Sequence, residues 1–214
     1  MKLNFRGLLP LLALLLAGAC CLGAQSKMPE DLARGKILVA PRDSSDPLFA
    51  KSVILLVRYD KSGALGLMVN HRTTLPISRV LAGIEGAAGH SDPVFVGGPV
   101  ELGAVFALVR TPGSKPEGAS EVFGNIYFIT GKTALEKALG GASKPDELRI
   151  YVGYCGWGPR QLDSEVRAGS WYIFDGSQAL AFDEKPATLW SRLIGKTEER
   201  FARLGFALPV RNSF

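Results

Sequence analysis

Apolar and polar positions along the chain fall into two rhythms. Short aliphatic runs separated by turn residues dominate its first two thirds. Gly35–Ala40 reads as a strand stopped by Pro41, followed by a loop, Asp43–Pro47. Ser52–Tyr59 (SVILLVRY) reads as a buried strand, Asp60–Gly63 as a tight turn, and Ala64–Asn70 as the returning strand of a hairpin. Val94–Gly98, Val105–Arg110, Ile126–Thr130, Leu148–Tyr154 and Trp171–Asp175 read as further strands. Helical spacing is found over Leu75–Ile84, through Leu75, Ser78, Leu81 and Ala82. It recurs over Thr133–Leu139, capped by Thr133 and stopped by Gly140–Gly141, and over Gln161–Arg167. The longest helical segment is Ala187–Leu204, where Leu189, Trp190, Leu193, Ile194, Phe201 and Leu204 repeat at three and four. Ser114–Ala119 is expected as an exposed mobile loop. Hairpin-linked strands with a few helices predict an α+β domain, not a doubly wound parallel sheet.

The N-terminus follows neither rhythm. Lys2 and Arg6 precede a 12-residue apolar stretch, Leu8–Ala19, which has the charge and length of an export signal and is too short for a mature membrane span. Leu16-Ala17-Gly18-Ala19-Cys20 is similar to a bacterial lipobox, so Cys20 is the expected lipidation site. Residues 1–19 are thus read as a lipoprotein signal, 20–34 as a tether, and 35–214 as one domain in the cell envelope, anchored through lipid and delivered, on the residue after Cys20, to an outer membrane. Two alternatives stay open: cleavage after Ala24, giving a free soluble protein, and translation from Met28, giving a cytoplasmic one.

Charge adds little to this picture. The net charge is +5, and setting aside Lys2 and Arg6 leaves +3, with no block of five basic residues, which argues against nucleic acid as a partner. The 3 Cys (Cys20, Cys21 and Cys155) give no disulfide framework. One core Cys and two distant His, His71 and His90, cannot furnish a zinc site, and no cofactor motif is present. Gly131-Lys132-Thr133 and Gly195-Lys196-Thr197 lack the earlier glycine of a phosphate loop, their counterpart positions being Ile126 and Trp190. No Gly-x-Ser-x-Gly elbow occurs, and Cys155 after an apolar run reads as a buried thiol.

Two glycine-rich constellations carry the candidate chemistry. Gly97-Gly98-Pro99 after a strand offers either a backbone cradle for a ligand or a tight turn with close backbone approach. In the second, Gly156-Trp157-Gly158-Pro159-Arg160 leads into a helix on which Gln161 and Glu165 share a face. Trp157, Gln161 and Glu165 could line a pocket mouth, with a helix N-terminus to attract an anion, or Trp157 could fill the core while the polar pair satisfies loop backbone. A hydrolase using Glu165 or Asp163 as a base is a further alternative.

Three stretches in order resemble the YqgE/AlgH family: Gly35–Asn70, Phe95–Thr111 and Val152–Trp171. The resemblance implies an α+β fold with a bifurcated, mainly antiparallel sheet curled into a pseudo-barrel and flanked by helices. It implies no enzymatic activity, and some family members are described as transcriptional regulators. The family's characteristic positions fall on Asp46, Pro47, Phe49, Asn70, Gly97, Gly98, Pro99, Gly156, Trp157, Gln161, Leu162, Glu165 and Trp171. Asn70, Gly97, Gly98, Pro99, Gly156, Trp157, Gln161 and Glu165 form the candidate site for a small ligand or a protein partner. The chain departs from the family in its signal segment, in Arg160 where glycine is usual, and in Cys155 where a small unreactive residue is usual.

Overall fold

The structure is a computed structural model that describes residues 28–141 and 146–203. The segment read as an export signal, Cys20, Cys21 and the first part of the expected tether lie outside the described residues. Among the described residues ten strands form one curled sheet: β1 (Ile37–Val39), β2 (Val53–Asp60), β3 (Gly63–Met68), β4 (Arg72–Pro76), β5 (Pro93–Val96), β6 (Val100–Arg110), β7 (Ala119–Phe123), β8 (Ile126–Ile129), β9 (Leu148–Trp157) and β10 (Tyr172–Phe174). The helices are α1 (Ile77–Val80), α2 (Lys132–Gly141), α3 (Gln161–Arg167), α4 (Gln178–Ala181) and α5 (Pro186–Arg203). No helix among the described residues is long and apolar enough to cross a membrane.

The strand order is β10-β1-β2-β3-β9-β6-β8-β7, with β5 and its partner β4 branching from β9. The branch forms on one edge of β9. Its C-terminal half pairs antiparallel with β3 (Gly66 opposite Cys155), while Tyr151 and Val152 pair in parallel with Phe95 and Val96 of β5. Gly97 joins the two arms: its N–H donates to Val152 O at 2.8 Å and its carbonyl accepts from Met68 N–H at 2.8 Å. A Cβ on Gly97 would collide with the Gly153 carbonyl, one on Gly98 with the Tyr154 carbonyl, and one on Gly153, whose φ is +68°, would lie 2.5 Å from Gly98 O. Only residues without side chains let the backbones meet this closely. All other strand pairs are antiparallel. This is the bifurcated, mainly antiparallel α+β fold that the resemblance implies.

Curling the sheet creates three apolar layers. The inner face holds Val39, Leu55, Leu67, Phe106, Leu108, Phe128 and Tyr151, and α5 closes it with Leu189, Trp190, Leu193 and Ile194. The outer face of β1–β3 packs against α3 through Leu38, Ile54, Leu56 and Met68 meeting Leu162 and Val166. The outer face around β6 and β8 packs against α1 and α2 through Ala107, Val109, Ile129 and Ile150 meeting Ile77, Leu135 and Leu139. Burial on both faces explains why β2 and β9 read as continuous apolar runs rather than alternating ones.

The structure corrects several elements. The helix expected over 75–84 shrinks to α1, and Arg72–Pro76 is a strand with Leu75 turned outward. Its apolar residues only imitated helical spacing, because Leu75 does not reach the core. The strand expected from Val105 begins at Val100, through an irregular segment in which Glu101 takes φ +46°. α2 opens at Lys132 and continues through Gly140 and Gly141 instead of stopping before them. β7 and α4 complete the set, and Ala119, expected in a loop, is buried at the start of β7. The α5 side chains at 189–194 bury as expected; Leu204 lies outside the described residues.

The contact at Gly97 gives a direct test. Gly97→Ala is expected to destabilise the protein by about 1–3 kcal/mol, the usual cost of overpacking a filled site. Gly103→Ala, where an added Cβ meets nothing within 4 Å, should stay within about 0.5 kcal/mol. Urea unfolding of the two variants measures the difference.

Candidate functional site

Helix α3 begins where β9 ends, and the turn between them sets the site. Arg160 occupies the cap position with φ 59°, a conformation ordinarily reserved for glycine. The chain therefore tolerates a side chain here by adopting the same left-handed turn. Gln161 secures it: its Oε1 accepts from Gly158 N–H at 3.0 Å. Asp163 fixes the helix to β2, accepting from the Tyr59 hydroxyl at 3.1 Å. Burial, and then Asp163, push the Tyr59 phenol above its ordinary pKa.

Glu165 is the centre of the arrangement. Its Oε2 accepts from both indole nitrogens, Trp157 Nε1 at 2.9 Å and Trp171 Nε1 at 2.8 Å. Its Oε1 accepts from Gln161 Nε2 at 2.9 Å. Three N–H donors thus complement one carboxylate, and charge-assisted bonds of this kind are the strong ones. The two indoles lie edge to face with centroids 6.1 Å apart, and Phe49 packs on both, at 6.3 Å from Trp157 and 5.7 Å from Trp171. The loop carrying Phe49 is held by an Asx turn, in which Asp46 Oδ1 accepts from Leu48 N–H at 2.9 Å. Between this loop and α3 lies a cleft of about 200 Å³, with Ser44, Ser45, Asp46, Ser170, Trp171 and Glu165 among its walls.

The sequence-derived residues separate into distinct places. Trp157, Gln161 and Glu165 do come together, joined by Phe49 and Trp171. Glu165 faces the cleft, whereas Trp157 is buried in the layer beneath α3. Gly156 is exposed one residue before that buried indole. Asn70 is buried elsewhere as a clamp: its Oδ1 accepts from Val53 N–H at 2.8 Å and its Nδ2 donates to Lys51 O at 2.9 Å. Gly97 and Gly98 are packed against β9, so the space a ligand cradle would need is filled by the chain's own backbone; Pro99 follows at the surface. Both carboxylates considered as catalytic bases, Glu165 and Asp163, already accept hydrogen bonds from the chain's own donors.

The remaining candidate groups have ordinary structural settings. Cys155 is fully buried, 3.4 Å from the Gly97 carbonyl, and burial pushes its thiol far above the usual range. His90 shares a hydrogen bond with Leu139 O at 2.8 Å, and burial lowers the His71 pKa. Among the described residues no three His, Cys, Asp or Glu gather as metal ligands. One residue was missed entirely. Arg149 stands in the apolar run Leu148–Val152 and is 8% exposed. A charge inside an apolar strand is costly, and that cost is the signal that could have singled it out.

Two outcomes follow. Glu165→Ala strands two buried indole N–H groups and is expected to cost about 2–4 kcal/mol in denaturant unfolding, with a shift in tryptophan emission. In the native protein Cys155 should escape iodoacetamide at pH 8 and become modified only on unfolding, as read by peptide mass.

The comparisons with known proteins agree with this architecture. The AlgH-like family profile matches residues 37–202. A UPF0301 protein of Streptomyces avermitilis is 33% identical over 176 residues, covering 78% of this chain and 88% of its own. One from Caulobacter vibrioides is 31% identical over 166 residues, covering 76% and 85% respectively. The solution structure of the Pseudomonas aeruginosa AlgH protein superposes with a TM-score of 0.60 at 26% identity, over 81% of this chain and 89% of that one. A Corynebacterium diphtheriae crystal structure shares the fold at a TM-score of 0.65 and 19% identity, over 78% and 87%. With the profile spanning nearly the whole described domain and relatives above 30% identity along most of their length, this chain belongs to the AlgH-like, UPF0301 family.

Proposed function

We propose that this protein is a non-catalytic binding module of the bacterial envelope. It is carried on a lipid anchor at Cys20 and receives a small ligand or a segment of a protein partner in the cleft beside α3. The observation that carries this reading is the Glu165 carboxylate. By holding Trp157, Trp171 and Gln161 at once, it makes a wall whose geometry is set before any ligand arrives. Lining the same cleft are short hydroxyls and one carboxylate, Ser44, Ser45, Ser170 and Asp46, groups that bind by hydrogen bonding. The export signal and lipobox of residues 1–20 support the envelope. An AlgH-type regulator translated from Met28 remains the competing reading, and its location in the cell separates the two.

A photocrosslinker at Ser45 in native cells should give a defined adduct, and one at Ser120 on exposed β7 should not. Gln161→Ala, which removes a surface support of Glu165, should reduce the Ser45 adduct several-fold. Equal adducts from both positions would sink the cleft assignment. Intact mass of the fractionated protein should show acylated Cys20 in the membrane fraction. An unmodified chain beginning at Met28 in the cytosol would overturn the envelope reading.

A further inference from the structure

A second site lies at the opposite end of β9. Arg149 and Trp157 are eight residues apart on that strand, about 25 Å at the rise of an extended chain, so this site is independent of the α3 cleft. Arg149 as a residue is more than nine-tenths buried. It lies over the Phe95 ring at 4.9 Å and the Phe182 ring at 5.3 Å. Its Nη1 donates to Ala181 O at 3.3 Å and its Nη2 to Asp183 O at 2.6 Å. Those two carbonyls use two of its five N–H donors. Among the described residues no carboxylate lies within ion-pair distance of it. A buried cation with no carboxylate beside it is an expensive arrangement, and a bound carboxylate would offset much of that cost.

The guanidinium borders a cavity of about 220 Å³. One part of its wall is apolar, from Phe95, Phe182 and Leu148, and the mouth carries Arg72. The rim also carries carboxylates. Asp146 is engaged by Arg110, but Asp92 and Glu184 make no ion pair among the described residues. Behind Phe95, at a ring separation of 5.4 Å, the Tyr151 hydroxyl is buried beside the Arg149 guanidinium. Burial pushes that phenol up to about 12 against the opposing pull of the Arg149 charge, so it is a neutral donor at physiological pH.

These charges select among ligands. A phosphate or other multiply charged anion would meet Arg149 but also the acidic rim, and like charges there disfavour it. A simple cation would meet Arg149 and Arg72. A small zwitterion satisfies both ends. We infer that this cavity binds an α-amino acid with an apolar side chain, its carboxylate on Arg149, its ammonium toward Asp92 and Glu184, and its side chain against Phe182 and Leu148. The volume is below that of sites for drug-sized ligands, which fits a molecule of this size.

Calorimetric titration of the detergent-solubilised full-length protein tests the assignment. L-Leucine should bind saturably. 4-Methylpentanoate, which lacks the ammonium, and leucinamide, which lacks the carboxylate, should each bind at least tenfold more weakly. The rim variant Asp92→Asn with Glu184→Gln alters only part-exposed or exposed side chains; it should weaken leucine about tenfold while leaving 4-methylpentanoate unchanged or tighter. Absence of saturable leucine binding by the wild-type protein at millimolar concentration overturns the proposal. So does tighter binding of inorganic phosphate than of leucine, or a rim variant that binds leucine as the wild type does. None of these readouts involves Ser45 or α3, so failure here leaves the cleft reading to its own test.

Discussion

The fold depends on one close approach, that of Gly97 and Gly98 to Gly153–Cys155. An ordinary sheet gives each strand edge one neighbour. Here one edge of β9 serves β3 along its C-terminal half and β5 along its N-terminal half, and the fork closes only because three backbones come together without side chains between them. Gly97 is hydrogen-bonded into both arms, so its position fixes the angle between them. From that angle follow the curl of the sheet, the enclosed inner core and the two outer layers on which the helices pack.

β9 is accordingly the axis on which both candidate sites are mounted. At its C-terminal end, Trp157 passes beneath α3 and meets Glu165; at its N-terminal end, Arg149 borders the cavity by Phe182. The two ends use charge in opposite ways. Glu165 is an anion supplied with three N–H donors by its own chain, and its energy goes into fixing the geometry of a wall. Arg149 is a cation supplied with two carbonyls and two aromatic faces, and among the described residues no carboxylate pairs with it. A charge met by its own chain's donors holds structure in place, whereas a cation without a carboxylate beside it is where we place a ligand. Cys155 sits between the two ends, buried against Gly97, and belongs to the fork and not to chemistry.

Membership of the AlgH-like family accounts for the architecture and leaves the binding chemistry to particular residues. Gly97 and Gly98, which the resemblance brings forward, serve the fork. Asp46, Phe49, Glu165 and Trp171 line the cleft beside α3, with Trp157 and Gln161 bonded to Glu165 behind it. Arg160 in a left-handed cap shows that the turn's conformation matters more than the residue filling it: a side chain is accepted at this exposed position.

Local signals were enough for those elements whose core positions and turn chemistry agree. The β2–β3 hairpin is announced by its aliphatic runs and the Asp60–Gly63 turn, α3 by its residues between two strands, and α5 by apolar positions at three and four. They failed at β4 and β7, whose strands are short and turn much of their length to solvent, so alternation is weak and Leu75 could pass for a helix position. What the sequence determined by itself is the periodicity of each buried segment and the places where the chain must turn, because both depend on near neighbours. Tertiary structure decided that Gly97 meets Gly153, that Phe49 and Trp171 join Trp157 around Glu165, and that Arg149 is buried with no carboxylate beside it among the described residues. Those contacts join residues far apart in the chain, and their energies arise only once the sheet has curled.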